Sequence, residues 1–218
     1  MRVSHETIYR SLFIQARNVL KKELLGHLRR GGFMRRPRTR PGAHPAIVDA
    51  ISIRERPADV EDRAVPGHWE GDLLMGGASS QIATLVERRS RYVMLVKVDS
   101  KNTVTVTKAL AAKVRELPAE LRRSLTWDRG SEMAAHKDFT IATDVKVYFC
   151  DPHSPWQRGS NENTNGLLRQ YFPKGKDLSN VSQAELDKVA RQLNERPRET
   201  LNWLTPWDAL RATVASTS

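Results

Sequence analysis

Three consecutive β-rich runs constrain the fold of this chain more than any other feature. HWEGDLLMG from His68, SQIATLVERRS from Ser80 and RYVMLVKVDS from Arg91 are rich in branched and aromatic residues and are separated only by Gly or charged turn residues. Runs so close together can only return on one another, so they predict three sequential antiparallel strands. The pattern then changes period. From Thr103 to Leu117 the apolar positions Val106, Leu110, Val114 and Leu117 follow helical spacing, and Pro118 ends the segment. A short strand at Ser124 to Asp128, a helix from Ser131 to about Ala142, and a strand over Val145 to Cys150 come next. After Pro155 and Gly159 a helix carries Leu167, Leu168, Tyr171 and Phe172. A second, opened by the capping-box pair Ser182 and Glu185, presents Leu186, Val189, Ala190 and Leu193, and a last short one follows Pro206. Strands reached through helical crossovers run parallel, so the expected fold class is α/β, a five-stranded mixed sheet with helices on both faces.

Three acids sit at the ends of these elements. Asp72 lies on the first strand, Asp128 closes the fourth, and Glu162 stands at the mouth of the helix that follows the Val145 strand. Hard oxygen ligands gathered from separate elements point to a divalent-metal site acting on phosphate. Other chemistries lack their parts. Cys150 and His153 are too isolated for a zinc site, there is no phosphate-cradling Walker loop, and no nucleophile elbow is present.

The charge is uneven. The chain carries +11, and Met1 to Pro41 holds 11 Lys and Arg against only Glu6 and Glu23, whereas the remainder is nearly balanced. A basic arm of this kind neutralises phosphates and gives affinity without base readout, so nucleic acid is the expected partner; a solvated linker is the alternative. Arg35, Arg36 and Arg38 are its densest part. No membrane-length apolar run and no signal peptide occur, and the single Cys150 suits a reducing compartment as a packed, inert residue. A cytoplasmic location is expected.

Residues 1–41 read as the remnant of a helix-turn-helix DNA-binding region, with helical pieces from Ser4 and from Val19, followed by a basic tether. Residues 42–65 read as a linker wrapping the core, 66–212 as the folded catalytic domain, and 213–218 as a disordered tail.

The words around the acids carry a resemblance. GHWEGDL, LTWDRGSEM, YFCDPHSPWQRGSNENTNGLLRQYFPKG and NERPRETLNWLTP resemble the catalytic part of DDE transposases of the insertion sequence 30 family, relatives of the retroviral integrases. The 33 residues between Asp128 and Glu162 fit that family's spacing. The resemblance implies a ribonuclease H-like fold in which the first and fourth strands lie side by side. It also implies Asp72, Asp128 and Glu162 as catalytic and metal-binding residues, with two Mg²⁺ ions for which Mn²⁺ substitutes. The activity implied is cleavage at insertion-sequence ends and strand transfer to target DNA in a bacterial, nucleoid-associated setting. The implied partner is double-stranded DNA, bound by a homodimer or higher oligomer. The alternatives are a catalytically silent DNA-binding or dimerising fragment acting as an inhibitor, and a general metal-dependent nuclease of the same fold.

Several neighbours compete for roles. Glu70, two residues before Asp72 and on the same strand face, is a supporting carboxylate or an alternative ligand. Glu132 opens a helix, where the dipole alone favours an acid, and Asp138 and Asp151 read as surface residues. Arg158, Asn165, Arg169, Lys174 and Lys176 are candidate DNA contacts. Trp156 either stacks on a splayed base or plugs its loop onto the core. His153 is a proton carrier or a hydrogen-bonded loop residue. Trp69 and Trp127, alternating with the acids, are expected in the core.

Overall fold

A computed structural model describes residues 47–215 apart from 59, 61, 62, 64 and 153, with the side chains of 214 and 215 also left aside. The expected basic arm, the tether with Arg35, Arg36 and Arg38, His153 and the tail beyond 215 lie outside the described residues. All described residues belong to one compact unit, Ala43–Ser218.

The strands are β1 (Ile51–Ser52), β2 (His68–Met75), β3 (Gln81–Glu87), β4 (Val93–Val98), β5 (Ser124–Trp127) and β6 (Lys146–Phe149). They form one mixed sheet in the order β1-β6-β5-β2-β3-β4. β2, β3 and β4 pair antiparallel, as their short connections demand, while β5 lies parallel to both β2 and β6. The expectation of a five-stranded sheet is corrected by one strand. β1, within the segment read as a linker, pairs parallel to β6 through Ile51 and Ser52. Two residues are too few to display a period, so nothing in the sequence marked them.

The helices are α1 (Thr103–Arg115), α2 (His136–Thr143), α3 (Gly159–Leu168), α4 (Gln183–Asn194) and α5 (Pro206–Ala215). Ser182 and Glu185 form the expected capping box at α4, each side chain bonded to the other's backbone N–H. The single helix expected from Ser131 is instead a 3-10 turn, Ser131–Met133, followed by α2.

Strand alternation separates two cores. On one face Trp69, Leu85, Leu125, Trp127 and Phe149 pack against Val106, Leu110 and Val114 of α1 and Phe139 of α2. On the other, Leu74, Ile82 and Val86 meet Leu168 of α3 and Leu186 and Leu193 of α4. Both faces are therefore covered, as parallel strands require. Since side chains alternate along β2, the buried Trp69 places Glu70, Asp72 and Leu74 on the α3 face.

Candidate active site

The β2–β5 pairing ends at Glu70 and Thr126, and the same register carried two residues further sets Asp72, within β2, beside Asp128, just past the end of β5. The close approach of the two strands depends on Gly71. A Cβ at Gly71 would lie 2.2 Å from the Trp127 ring, so only glycine lets that ring close over β2. Asp72 is partly buried, and its Oδ1 accepts from the Leu73 N–H at 2.9 Å. Asp128 Oδ1 accepts from the Gly130 N–H at 3.0 Å, which turns the chain sharply away after β5.

Between the two acids sits a guanidinium. Arg158, from the 3-10 turn Pro155–Arg158, donates through Nη2 to Asp128 Oδ2 at 3.3 Å, and its Nη1 lies 3.3 Å from Asp72 Oδ2. The same Nη1 donates to the Gly71 carbonyl at 2.8 Å. The side chain is 8 % exposed, so the ion pairs act in a poorly solvated setting where Coulomb forces are strong. Burial pushes the Asp72 carboxyl up to about 6 and the nearby Asp128 charge adds to this, while Arg158 opposes both. Arg158 is thus not presented on the surface as a contact for DNA. It is a buried cation held by two carboxylates.

α3 is tied to the strands by a second set of contacts. Glu70 is almost fully buried. Its Oε1 accepts from Arg88 Nη1 at 3.0 Å and its Oε2 accepts the Asn161 backbone N–H at 2.9 Å in the first turn of α3. The Asn161 amide donates to the Glu70 carbonyl at 2.8 Å, and Thr84 Oγ1 donates to Asn161 Oδ1. Glu70 is therefore engaged in joining β2 to α3. Arg88, Asn161 and Thr84 were not singled out in the sequence, where nothing in their spacing distinguishes them from ordinary strand and helix residues.

One turn further along α3, Asn165 Nδ2 donates to Asp72 Oδ2 at 3.0 Å. Glu162 lies three residues before Asn165 on the same helix face and is exposed. Asp72, Asp128, Arg158 and Asn165 are thus brought together, with Glu162 one helical turn away. Among the described residues no three His, Cys, Asp or Glu side chains are grouped closely enough to hold a metal ion. The donor chemistry nevertheless suits a hard cation: two carboxylates already share a positive charge, and a third lies on the helix anchored to the first.

The other candidates take varied positions. Arg169 donates to the carbonyls of Met75 and Phe172 at 2.9 and 3.3 Å and so holds the end of α3 to β2. Lys174 and Lys176 are exposed, the latter 5.7 Å from the Phe172 ring centroid. Trp156 is 72 % exposed, so it does not plug its loop onto the core. Trp69 and Trp127 are buried, as expected, and the Trp127 indole N–H donates to Glu132 Oε1 at 3.1 Å. Cys150 is packed, and burial pushes its thiol up to about 11. No described helix is long and apolar enough to cross a membrane.

Comparison with known proteins agrees with this fold. A family model described as integrase core domain matches residues 62–155. The chain is similar along its whole length to the transposase InsI for insertion sequence element IS30A of Escherichia coli K12, at 52 % identity over 221 residues. It is 50 % identical over 218 residues, 99 % of its length, to the transposase for IS1086 of Cupriavidus metallidurans. It spans 58 % of the first of these relatives and 64 % of the second. The crystal structure of the catalytic core domain of BIV integrase superposes with a TM-score of 0.52 at 17 % identity, covering 70 % of this chain and 99 % of that one. The expected ribonuclease H-like fold is thereby borne out. Along the whole of this chain half of the residues match those transposases, and the chain resembles the transposases of insertion sequence element IS30.

Proposed function

We propose that the chain carries the catalytic part of a DDE transposase, which cuts DNA at the ends of an insertion sequence and joins those ends to a target. The observation that carries this is the pair Asp72 and Asp128, drawn from adjacent parallel strands onto one cation, with the helix of Glu162 anchored to the first of them through Asn165. Asp72, Asp128 and Glu162 would hold the metal. The chemistry supplied by bound divalent ions, magnesium or manganese and two per site, is polarisation of a phosphodiester and ionisation of the attacking hydroxyl.

The protein's own residues set the stage for that chemistry. Asp72 and Asp128 provide carboxylate oxygens whose positions are fixed by Leu73 and Gly130 N–H groups. Asn165 orients Asp72, and the Glu70–Asn161 contacts fix where α3 starts and hence where Glu162 stands. Lys174 and Lys176 face solvent beyond α3, where they meet backbone phosphates. Two ends must be held for joining, so the working form on DNA is at least a dimer.

The test is incubation of purified protein with labelled element ends, with Mg²⁺, with Mn²⁺ and without metal. Specific 3′ nicks and joined products that require metal are expected. Asp72→Asn, Asp128→Asn and Glu162→Gln should each abolish them while leaving DNA affinity largely intact. Near-normal cutting by Glu162→Gln overturns the site. Random cutting indicates a general nuclease, and binding without turnover indicates a silent fragment.

A further inference from the structure

β4 is the outer strand of the sheet, and among the described residues it pairs with β3 alone. Its sequence invites a second partner. Tyr92 to Val96 is an unbroken apolar run, and Lys97 is the one charge between Val93 and Val98, which is the composition of a segment that pairs with copies of itself. The Tyr92 carbonyl accepts from the Glu87 N–H of β3, so by the alternation of an antiparallel pair the backbone groups of Val93, Leu95 and Lys97 face away from β3. Left bare, that row is a template for another strand.

α4 covers the row with side-chain amides. Asn194 Oδ1 accepts the Val93 N–H at 2.8 Å, and its Nδ2 donates to the Val93 carbonyl at 2.9 Å. Gln183 Nε2 donates to the Leu95 carbonyl at 2.8 Å, and its Oε1 accepts the Lys97 N–H at 2.8 Å. A carboxamide carries donor and acceptor side by side, as a peptide group does, so each of the two takes the place of a neighbouring strand. They are the first and last residues of α4, about three turns apart and so on one helix face, a span of about 16 Å. The outward groups from Val93 to Lys97 span about 13 Å, so a single helix laid antiparallel along β4 reaches both ends. Asp187 accepts another Gln183 N–H at 2.9 Å, which fixes the way that amide points. The opposite edge of the sheet is β1, whose two residues are too few to hold a partner.

We propose that Gln183 and Asn194 guard the β4 edge, closing it against β4 of a second copy of this chain, which would otherwise pair with it antiparallel about a two-fold axis. Copies of the chain are thereby left to meet through surfaces other than their sheet edges. The inference stands apart from the metal and DNA reading of the acids.

The experiment uses the full chain without DNA and a fluorescent peptide copying Arg91 to Ser100, at concentrations where the peptide is monomeric. The wild type should leave the peptide free. Gln183→Ala should bind it, and at higher protein concentration should associate with itself in a way the peptide competes away. Amide hydrogen exchange of Lys97 should become about tenfold faster in Gln183→Ala, while that of Val93, held by Asn194, should stay as it is. Gln183 is partly exposed and the cap of α4 rests on Ser182 and Glu185, so the variant should fold, and a cooperative melting curve checks this. Gln192→Ala, the same change at an exposed position of α4, should alter neither peptide binding nor Lys97 exchange. Faster Lys97 exchange in Gln183→Ala without peptide binding shows a mere helix anchor and overturns the guard. So does unchanged Lys97 exchange, peptide binding by the wild type, or equal binding by Gln192→Ala.

Discussion

At the scale of single residues the centre of this protein is Arg158, a buried cation held by the two acids proposed to bind metal. Removing it leaves Asp72 and Asp128 facing each other without compensation. Arg158→Gln should therefore lose about 3 kcal/mol of stability in chelator, read by urea denaturation. Divalent metal should then raise its melting temperature more than it raises that of the wild type, because metal and guanidinium seek the same oxygens. An equal metal-induced shift in both proteins refutes that competition. Asp72 allows a second test. Its folded pKa of about 6 lies above the ordinary aspartate value, so its contribution to stability is full below the unfolded pKa and is lost as pH rises through the folded one. Ionising it in the metal-free fold costs on the order of 3 kcal/mol. Asp72→Asn avoids that cost. In chelator the variant should outlast the wild type in urea near pH 7.5, and the difference should vanish by about pH 4. A difference that does not change with pH refutes the assignment.

At the scale of elements, the site depends on how closely β2 and β5 approach and on where α3 begins. Gly71 governs the first, since the Trp127 ring occupies the space its Cβ would need. Gly71→Ala must displace a fully buried indole and should cost about 1–3 kcal/mol in urea denaturation. Glu70 governs the second. It links Arg88 on the β3–β4 turn to the Asn161 N–H of α3, and all three participants are buried. The alternation that placed Glu70 and Asp72 on one strand face was legible in the sequence, because a period of two leaves no choice. What Glu70 bonds to was not legible. Arg88 lies 18 residues away and Asn161 lies 91 away, and no local pattern connects them.

At the scale of the whole molecule, the charge and the catalytic geometry occupy different stretches of chain. Residues 1–41 carry a large share of the formal +11, whereas the described sheet and helices lie in the unit Ala43–Ser218. A chain starting at Ala43 should unfold cooperatively yet bind DNA more weakly. Its salt dependence should also be flatter, by ~0.9 in log-log slope for each phosphate that the arm no longer neutralises. Fluorescence anisotropy across a salt series checks this, and an unchanged slope would place the DNA affinity in the core instead. The strand directions were readable from connection lengths: turns of a few residues force β2, β3 and β4 antiparallel, and helical crossovers force β5 and β6 parallel, whereas the place of β5 beside β2 came from the resemblance. β1 escaped because its place at the sheet edge is set by β6, which lies far from it in sequence.

By itself the sequence determined the periods and the turns, and thereby the class of fold, since these follow from local sterics, and it singled out three acids as candidate ligands of a hard cation. Only the tertiary structure decided that Arg158 lies between Asp72 and Asp128, that Glu70 serves α3, and that Gln183 and Asn194 bond to the outer edge of β4. Those contacts join residues tens of positions apart, and their partners are chosen by packing and burial. No short-range pattern in the chain encodes them.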